Sequence, residues 1–170
     1  MIDKIVPSLD QAVADISDGA TVMIGGFGTA GMPSALIDAL IRQGASDLTI
    51  VNNNAGNGEI GLAALLKARR VKKIICSFPR QTDSYVFDAL FRAGDIELEL
   101  VPQGNLVYRK TARNFGPIMA SAARCTIVEV REVVPLGTLD PEAVVTPGIF
   151  VKRVVAVRDP SVLAEPGAAA

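Results

Sequence analysis

The chain has 170 residues, with 17 basic against 18 acidic side chains, a net charge of −1 and a mean hydropathy of +0.35. That is enough apolar material for one buried core, and too balanced a charge to draw the chain to nucleic acid or an anionic membrane. The complete lack of histidine excludes Ser-His-Asp and Cys-His catalysis and the commonest zinc sites, so any chemistry falls to carboxylates, amides, backbone groups or a partner chain. No apolar run approaches the roughly 18 residues needed to span a bilayer, and the start, Met1 to Ile5, lacks a signal-peptide core. The expectation is a soluble cytoplasmic protein.

Ser8 precedes Gln11 by three residues, a capping-box spacing, and Leu9, Ala12, Val13 and Ile16 share a helical face, which predicts a capped helix reaching Asp18-Gly19. Thr21 to Ile24 reads as a strand, ended by a glycine-rich stretch from Gly25 to Gly31. Pro33 and Ser34 open a helix that Gly44 stops. The rhythm repeats with a strand over Leu48 to Val51, an asparagine and glycine loop from Asn52 to Gly58, and a helix through Leu62, Leu65 and Leu66 to Arg70. Lys73 to Phe78 and Ile96 to Val101 read as strands around the helical pattern of Tyr85 to Arg92, and Cys125 to Val130 and Arg153 to Val157 as two more. Alternating strands and helices of this length define an α/β chain with a mainly parallel open sheet and flanking helices, a Rossmann-like arrangement. Residues 1–158 form one domain in this reading, and 159–170 a frayed tail. Cys76 and Cys125, each in an apolar run, read as buried free thiols, not a ligand pair, and no metal site is expected.

In open parallel sheets the binding site lies beyond the carboxyl ends of the strands. Three loops fall there: Gly25 to Pro33, Asn52 to Gly58, and Pro102-Gln103-Gly104. The glycines of the first permit close approach of a ligand to backbone amides before a helix N-terminus, which suits an anion or a polarised carbonyl; without a ligand they would simply form a tight turn. Gly26, Gly28 and Gly31 also satisfy the G-x-G-x-x-G dinucleotide fingerprint. Against that reading, the second strand runs out into Asn52-Asn53-Asn54, where a nicotinamide enzyme needs an acid for the ribose hydroxyls. Those carboxamides donate and accept without charge, as suits a carboxylate substrate or the oxygen of a tetrahedral intermediate, or else they serve turn geometry alone.

The run Asp18 to Pro33, containing Gly25-Gly26-Phe27-Gly28-Thr29-Ala30-Gly31-Met32-Pro33, resembles the signature of the A (alpha) subunit of family I CoA-transferases. Asn53-Asn54-Ala55-Gly56 and Val101-Pro102-Gln103-Gly104 resemble that family's second and third loops, and Asn105 to Phe115 and Thr146 to Val151 are similar to later segments, most like 3-oxoadipate or 3-oxoacid CoA-transferases. The resemblance implies a ping-pong transfer of CoA from an acyl-CoA such as succinyl-CoA to a 3-oxoacid, through a glutamyl-CoA thioester. It places the nucleophilic glutamate on a partner B (beta) subunit, in a Ser-Glu-Asn-Gly motif that is missing here. Accordingly no catalytic nucleophile and no permanently bound cofactor are expected in this chain, and the coenzyme A thioester is a substrate. Glu59, after Asn57-Gly58, is explained by the helix dipole. Gly25, Gly26, Phe27, Gly28, Gly31, Asn53, Asn54 and Gln103 are the expected substrate-binding residues. The resembled family carries a long stretch where Gly104 here joins Asn105 directly, so a segment is expected to be missing at 104–105. Two other readings stay open: a dinucleotide-binding oxidoreductase, and a non-catalytic scaffold or regulatory subunit.

Overall fold

The computed structural model describes residues 3–26, 30–101 and 116–158. The Ser8 hydroxyl accepts from the Gln11 N–H at 3.1 Å and opens helix α1 (Leu9–Val13), as the capping spacing predicts. This helix stops earlier than its apolar spacing suggests: the Ile16 N–H reaches the Val13 carbonyl at 3.1 Å, an i to i−3 bond that tightens the chain into a turn.

Strands β1 (Thr21–Met23), β2 (Leu48–Val51), β3 (Val71–Cys76) and β4 (Glu97–Leu100) form a four-stranded parallel sheet in the order β1-β2-β3-β4. Their register aligns Val22, Ile50, Ile74 and Leu98 in one row, and Ile50 and Ile74 are completely buried. With neighbours joined in sequence, right-handed crossovers place the connecting helices on one face. Helices α2 (Ser34–Gln43), α3 (Leu62–Lys67) and α4 (Tyr85–Ala93) pack side by side in that order. Ile37 and Leu40, Leu62, Leu65 and Leu66, then Phe87 and Leu90 close the core over the sheet, each large apolar side chain contributing about 1.5–3 kcal/mol when fully buried. The opposite face carries Thr21, Thr49, Lys73 and Glu97 in one row, with Lys73 Nζ 2.6 Å from Glu99.

Helix α5 (Gly116–Ala122) leads to β5 (Ile127–Val130) and β6 (Arg153–Ala156), which pair in parallel as a second sheet. The strands expected from the sequence therefore divide between two sheets. Helix α2 lies between them, with Ile37 and Leu40 in the main core and Leu36 and Ala39 in a second cluster with Ala12, Val13 and Val155. Residues 159–170, read as a tail, lie outside the described residues.

Candidate functional site

The carboxyl ends of β1 and β2 lie side by side, and the loops that leave them are built by asparagine and glycine. Asn52 donates through Nδ2 to the Ile24 carbonyl at 2.6 Å, tying the end of β1 to the start of the second loop. The Asn52 Oδ1 accepts from the Asn54 N–H at 3.0 Å, and the Asn54 Oδ1 from the Gly56 N–H at 2.7 Å. Asn54 Nδ2 in turn donates to Asn53 Oδ1 at 2.6 Å. The run is thus a chain of side-chain-bridged turns, sealed from water at 3%, 2% and 0% exposure for Asn52, Asn53 and Asn54. Burial at this level demands partners for every polar atom. One is left over: Asn53 Nδ2 has no hydrogen-bond partner among the described residues.

Two glycines make this packing feasible. Gly26 has φ +108°, and a Cβ there would fall 2.8 Å from the Met32 nitrogen; Gly56 has φ +87°, and a Cβ there would fall 2.6 Å from the Ala63 nitrogen. Both combine a left-handed backbone with contact against main chain, which leaves a side chain no room. The Met32 sulfur accepts from the Leu62 N–H at 3.4 Å, so the end of the glycine loop rests on the start of α3.

Of the residues expected to bind substrate, Gly25, Gly26, Gly31, Asn53 and Asn54 fall on these two adjoining loops. Phe27, Gly28 and Gln103 lie outside the described residues, as does the 104–105 junction. Asn52, which sequence reasoning left among turn residues, bridges the two strands; only the register of β1 against β2 reveals it. Glu59 is a surface group in an ion pair with Lys67 at 2.8 Å. Its carboxyl sits below the ordinary value because Lys67 bonds and attracts it.

The two cysteines differ. Cys76 closes β3 in the core, where burial pushes its thiol up to about 11. Cys125 is exposed, contrary to expectation, because β5 begins only at Ile127. Among the described residues no helix is long and apolar enough to cross a membrane.

The coenzyme A transferase family profile matches residues 6–109 and 102–157, and the chain belongs to that family. It is 50% identical to the A subunit of the 3-oxoadipate CoA-transferase of Pseudomonas putida, over 92% of this chain and 95% of that protein. The A subunit of the succinyl-CoA:3-ketoacid coenzyme A transferase of Helicobacter pylori is 31% identical over 90% of this chain and 92% of its own length. In fold the chain is similar to an Escherichia coli O157:H7 acyl-CoA transferase solved as a CoA thioester complex, with TM-score 0.74 at 17% identity, covering 91% of this chain and 47% of that one. A variant of the decarboxylase AibA/AibB is similar too, with TM-score 0.68 at 19% identity over 92% of this chain and 84% of that one, so this fold hosts more than one chemistry. The alignment with the Pseudomonas putida protein extends over 219 positions, more than the 170 residues of this chain. The two stretches matching the family overlap at 102–109.

Proposed function

We propose that this chain is the alpha component of a CoA-transferase that moves CoA from an acyl-CoA such as succinyl-CoA to a 3-oxoacid, working with a B subunit that brings the nucleophilic glutamate. Identity of 50% with the 3-oxoadipate enzyme's counterpart, against 31% with that of the succinyl-CoA:3-ketoacid enzyme, favours 3-oxoadipate over acetoacetate as the acceptor. The observation that carries the reading is the buried Asn53 Nδ2, which has no hydrogen-bond partner among the described residues. A buried donor left unpaired costs about 1–3 kcal/mol, a cost recovered when it meets an oxygen of the substrate or of the tetrahedral intermediate. In this mechanism the backbone amides of Gly25, Gly26, Phe27, Gly28 and Gly31 and the side chains of Asn53 and Gln103 orient the acid and stabilise developing negative charge. Asn54 holds Asn53 in place through its 2.6 Å bond. The dinucleotide reading loses support from the sheet, since among the described residues the order β1-β2-β3-β4 has no reversal of the kind that opens a nucleotide crevice. Co-purifying the chain with its B partner and comparing CoA transfer from succinyl-CoA to 3-oxoadipate and to acetoacetate tests the proposal. Preference for 3-oxoadipate is expected; absence of transfer to either acid by an assembled pair would sink it.

The relatives' additional residues enter, on this reading, between Gly104 and Asn105, directly after β4. Among the described residues β4 is an edge strand of the sheet, and Leu100 and Phe78, 62% and 58% exposed, line a mostly apolar groove with Pro79, Arg80, Phe87, Phe91 and Leu98. A long inserted segment would cover it, as edges and apolar grooves in parallel sheets ordinarily are covered. Intact-mass measurement of the protein from its source decides the point. A mass well above 17.8 kDa is expected, whereas 17.8 kDa itself would make the short chain genuine and favour a scaffold or regulatory role.

A further inference from the structure

Helix α2 begins at the downstream end of the glycine loop, and its first turn has no side-chain cap of its own, because the N-cap position is Pro33. The missing acceptor comes from 93 residues further along. The Glu129 Oε2, on β5, accepts from the Leu36 N–H at 3.2 Å, and the nearby Ala35 N–H also favours its charged form. An anion on the first turn of a helix satisfies open N–H groups and meets the positive end of the dipole. The upstream end of the same loop lies near the same part of the chain. A Cβ added at Gly25 would meet the Gly116 Cα, at the start of α5, at 3.7 Å. The α5 to β5 segment therefore lies against Gly25 at the start of the loop and against the first turn of α2 beyond its end.

We propose that Glu129 is a positioning residue for the glycine loop, fixing through the first turn of α2 where the loop presents its amides. This rests on the reading that the loop lines the CoA-transfer site. Partial burial and the neighbouring Asp38 carboxylate push the Glu129 carboxyl up from its ordinary value. Holding an acid where its charged form is disfavoured is a cost that helix capping by a neutral side chain would avoid, which points to a role beyond stability.

The test uses the chain assembled with a B subunit, comparing Glu129→Ala and Glu129→Gln with wild type. In the alanine variant kcat per assembled complex is expected to fall roughly tenfold to a hundredfold with KM little changed, since displaced donors cost transition-state stabilisation. Hydrogen exchange at the Leu36 and Ala35 amides should quicken. Glutamine keeps an acceptor oxygen of the same reach and should stay within about threefold of wild type. An alanine complex that melts lower but turns over normally, or an alanine chain that fails to assemble, would assign Glu129 to folding and overturn the proposal. Gly28→Val separates this failure from failure of the site reading. If that variant is inactive while Glu129→Ala is active, only the positioning role falls; if Gly28→Val is fully active, the loop does not line the site.

Discussion

The carboxamide of Asn52 and the carbonyl of Ile24 meet at 2.6 Å with both groups buried, so the exits of the first two strands are joined by a side chain as well as by the sheet. Everything that follows Asn52 in the loop is placed from that bond. Asn54 and Gly56 take their positions from successive side-chain acceptors, and Asn53 is turned so that its carbonyl accepts from the Phe78 N–H at 2.9 Å. One amide of this hydrogen-bonded loop, Asn53 Nδ2, has no partner among the described residues.

That geometry separates the two expected substrate amides. Asn53→Ala removes the spare donor but also the acceptor of Asn54 Nδ2, so it should cost about 1–3 kcal/mol of stability and in addition lower turnover per assembled complex about a hundredfold, the usual effect of losing one preorganised donor. Asn54→Ala breaks the bond to the Gly56 N–H and strands a buried donor, which costs about 1–3 kcal/mol of stability. Turnover normalised to assembled complex, measured beside thermal unfolding, distinguishes the two. Equal behaviour of both variants would contradict the separation.

Gly56→Ala should destabilise the chain outright. Its added Cβ would meet main-chain nitrogen at 2.6 Å, and alanine at positive φ adds strain of roughly 1 kcal/mol or more. Gly19, at φ +72° with open space around it, supplies the control: alanine there carries only the conformational strain. Chemical denaturation of both variants should rank Gly56→Ala well below Gly19→Ala.

Two carboxylates should shift stability in opposite directions with pH. Arg153 bonds Asp15 at 2.5 Å and holds its carboxyl below the ordinary value. Its contribution is present above the unfolded-state value of about 3.9 and is lost as pH falls through the lower folded value. The Asp15 side chain is 63% exposed, so the pair is screened and worth no more than about 1 kcal/mol. Asp38 is raised by burial; its charged form disfavours the fold, and Asp38→Asn should raise the melting temperature at neutral pH, with the gain vanishing once acid protonates the wild-type group. Melting curves from neutral pH to strong acid check both signs.

Thiol alkylation of the native chain should modify Cys125 quickly and Cys76 only on unfolding, because Cys76 has no exposed surface and its thiol is held near 11. Mass spectrometry after a short iodoacetamide pulse reads this directly. Rapid modification of both would mean that β3 opens readily in solution.

The strand-loop-helix order was legible because its signals are local: Ser8 as a cap, Gly44 as a left-handed stop at φ +97°, and β-branched runs ended by glycine. The loops at the strand ends were legible for the same reason. The split into two sheets was not, since nothing near Cys125 to Val130 says which strands they pair with. That depends on Leu36 and Ala39 offering a second apolar face of α2. Composition flagged the asparagines but could not separate Asn54, spent on the loop, from Asn53. Nor could it connect Glu129 with the first turn of a helix 93 residues earlier.

In the proposed function this chain positions substrate and a B subunit carries the covalent chemistry. Intact-mass measurement of both components of the assembled enzyme, after brief exposure to acyl-CoA without acceptor acid, tests it most directly. The expected result is an unmodified mass for this chain and a CoA thioester adduct on the B subunit. An adduct on this chain, at Glu59 or any other carboxylate, would contradict it.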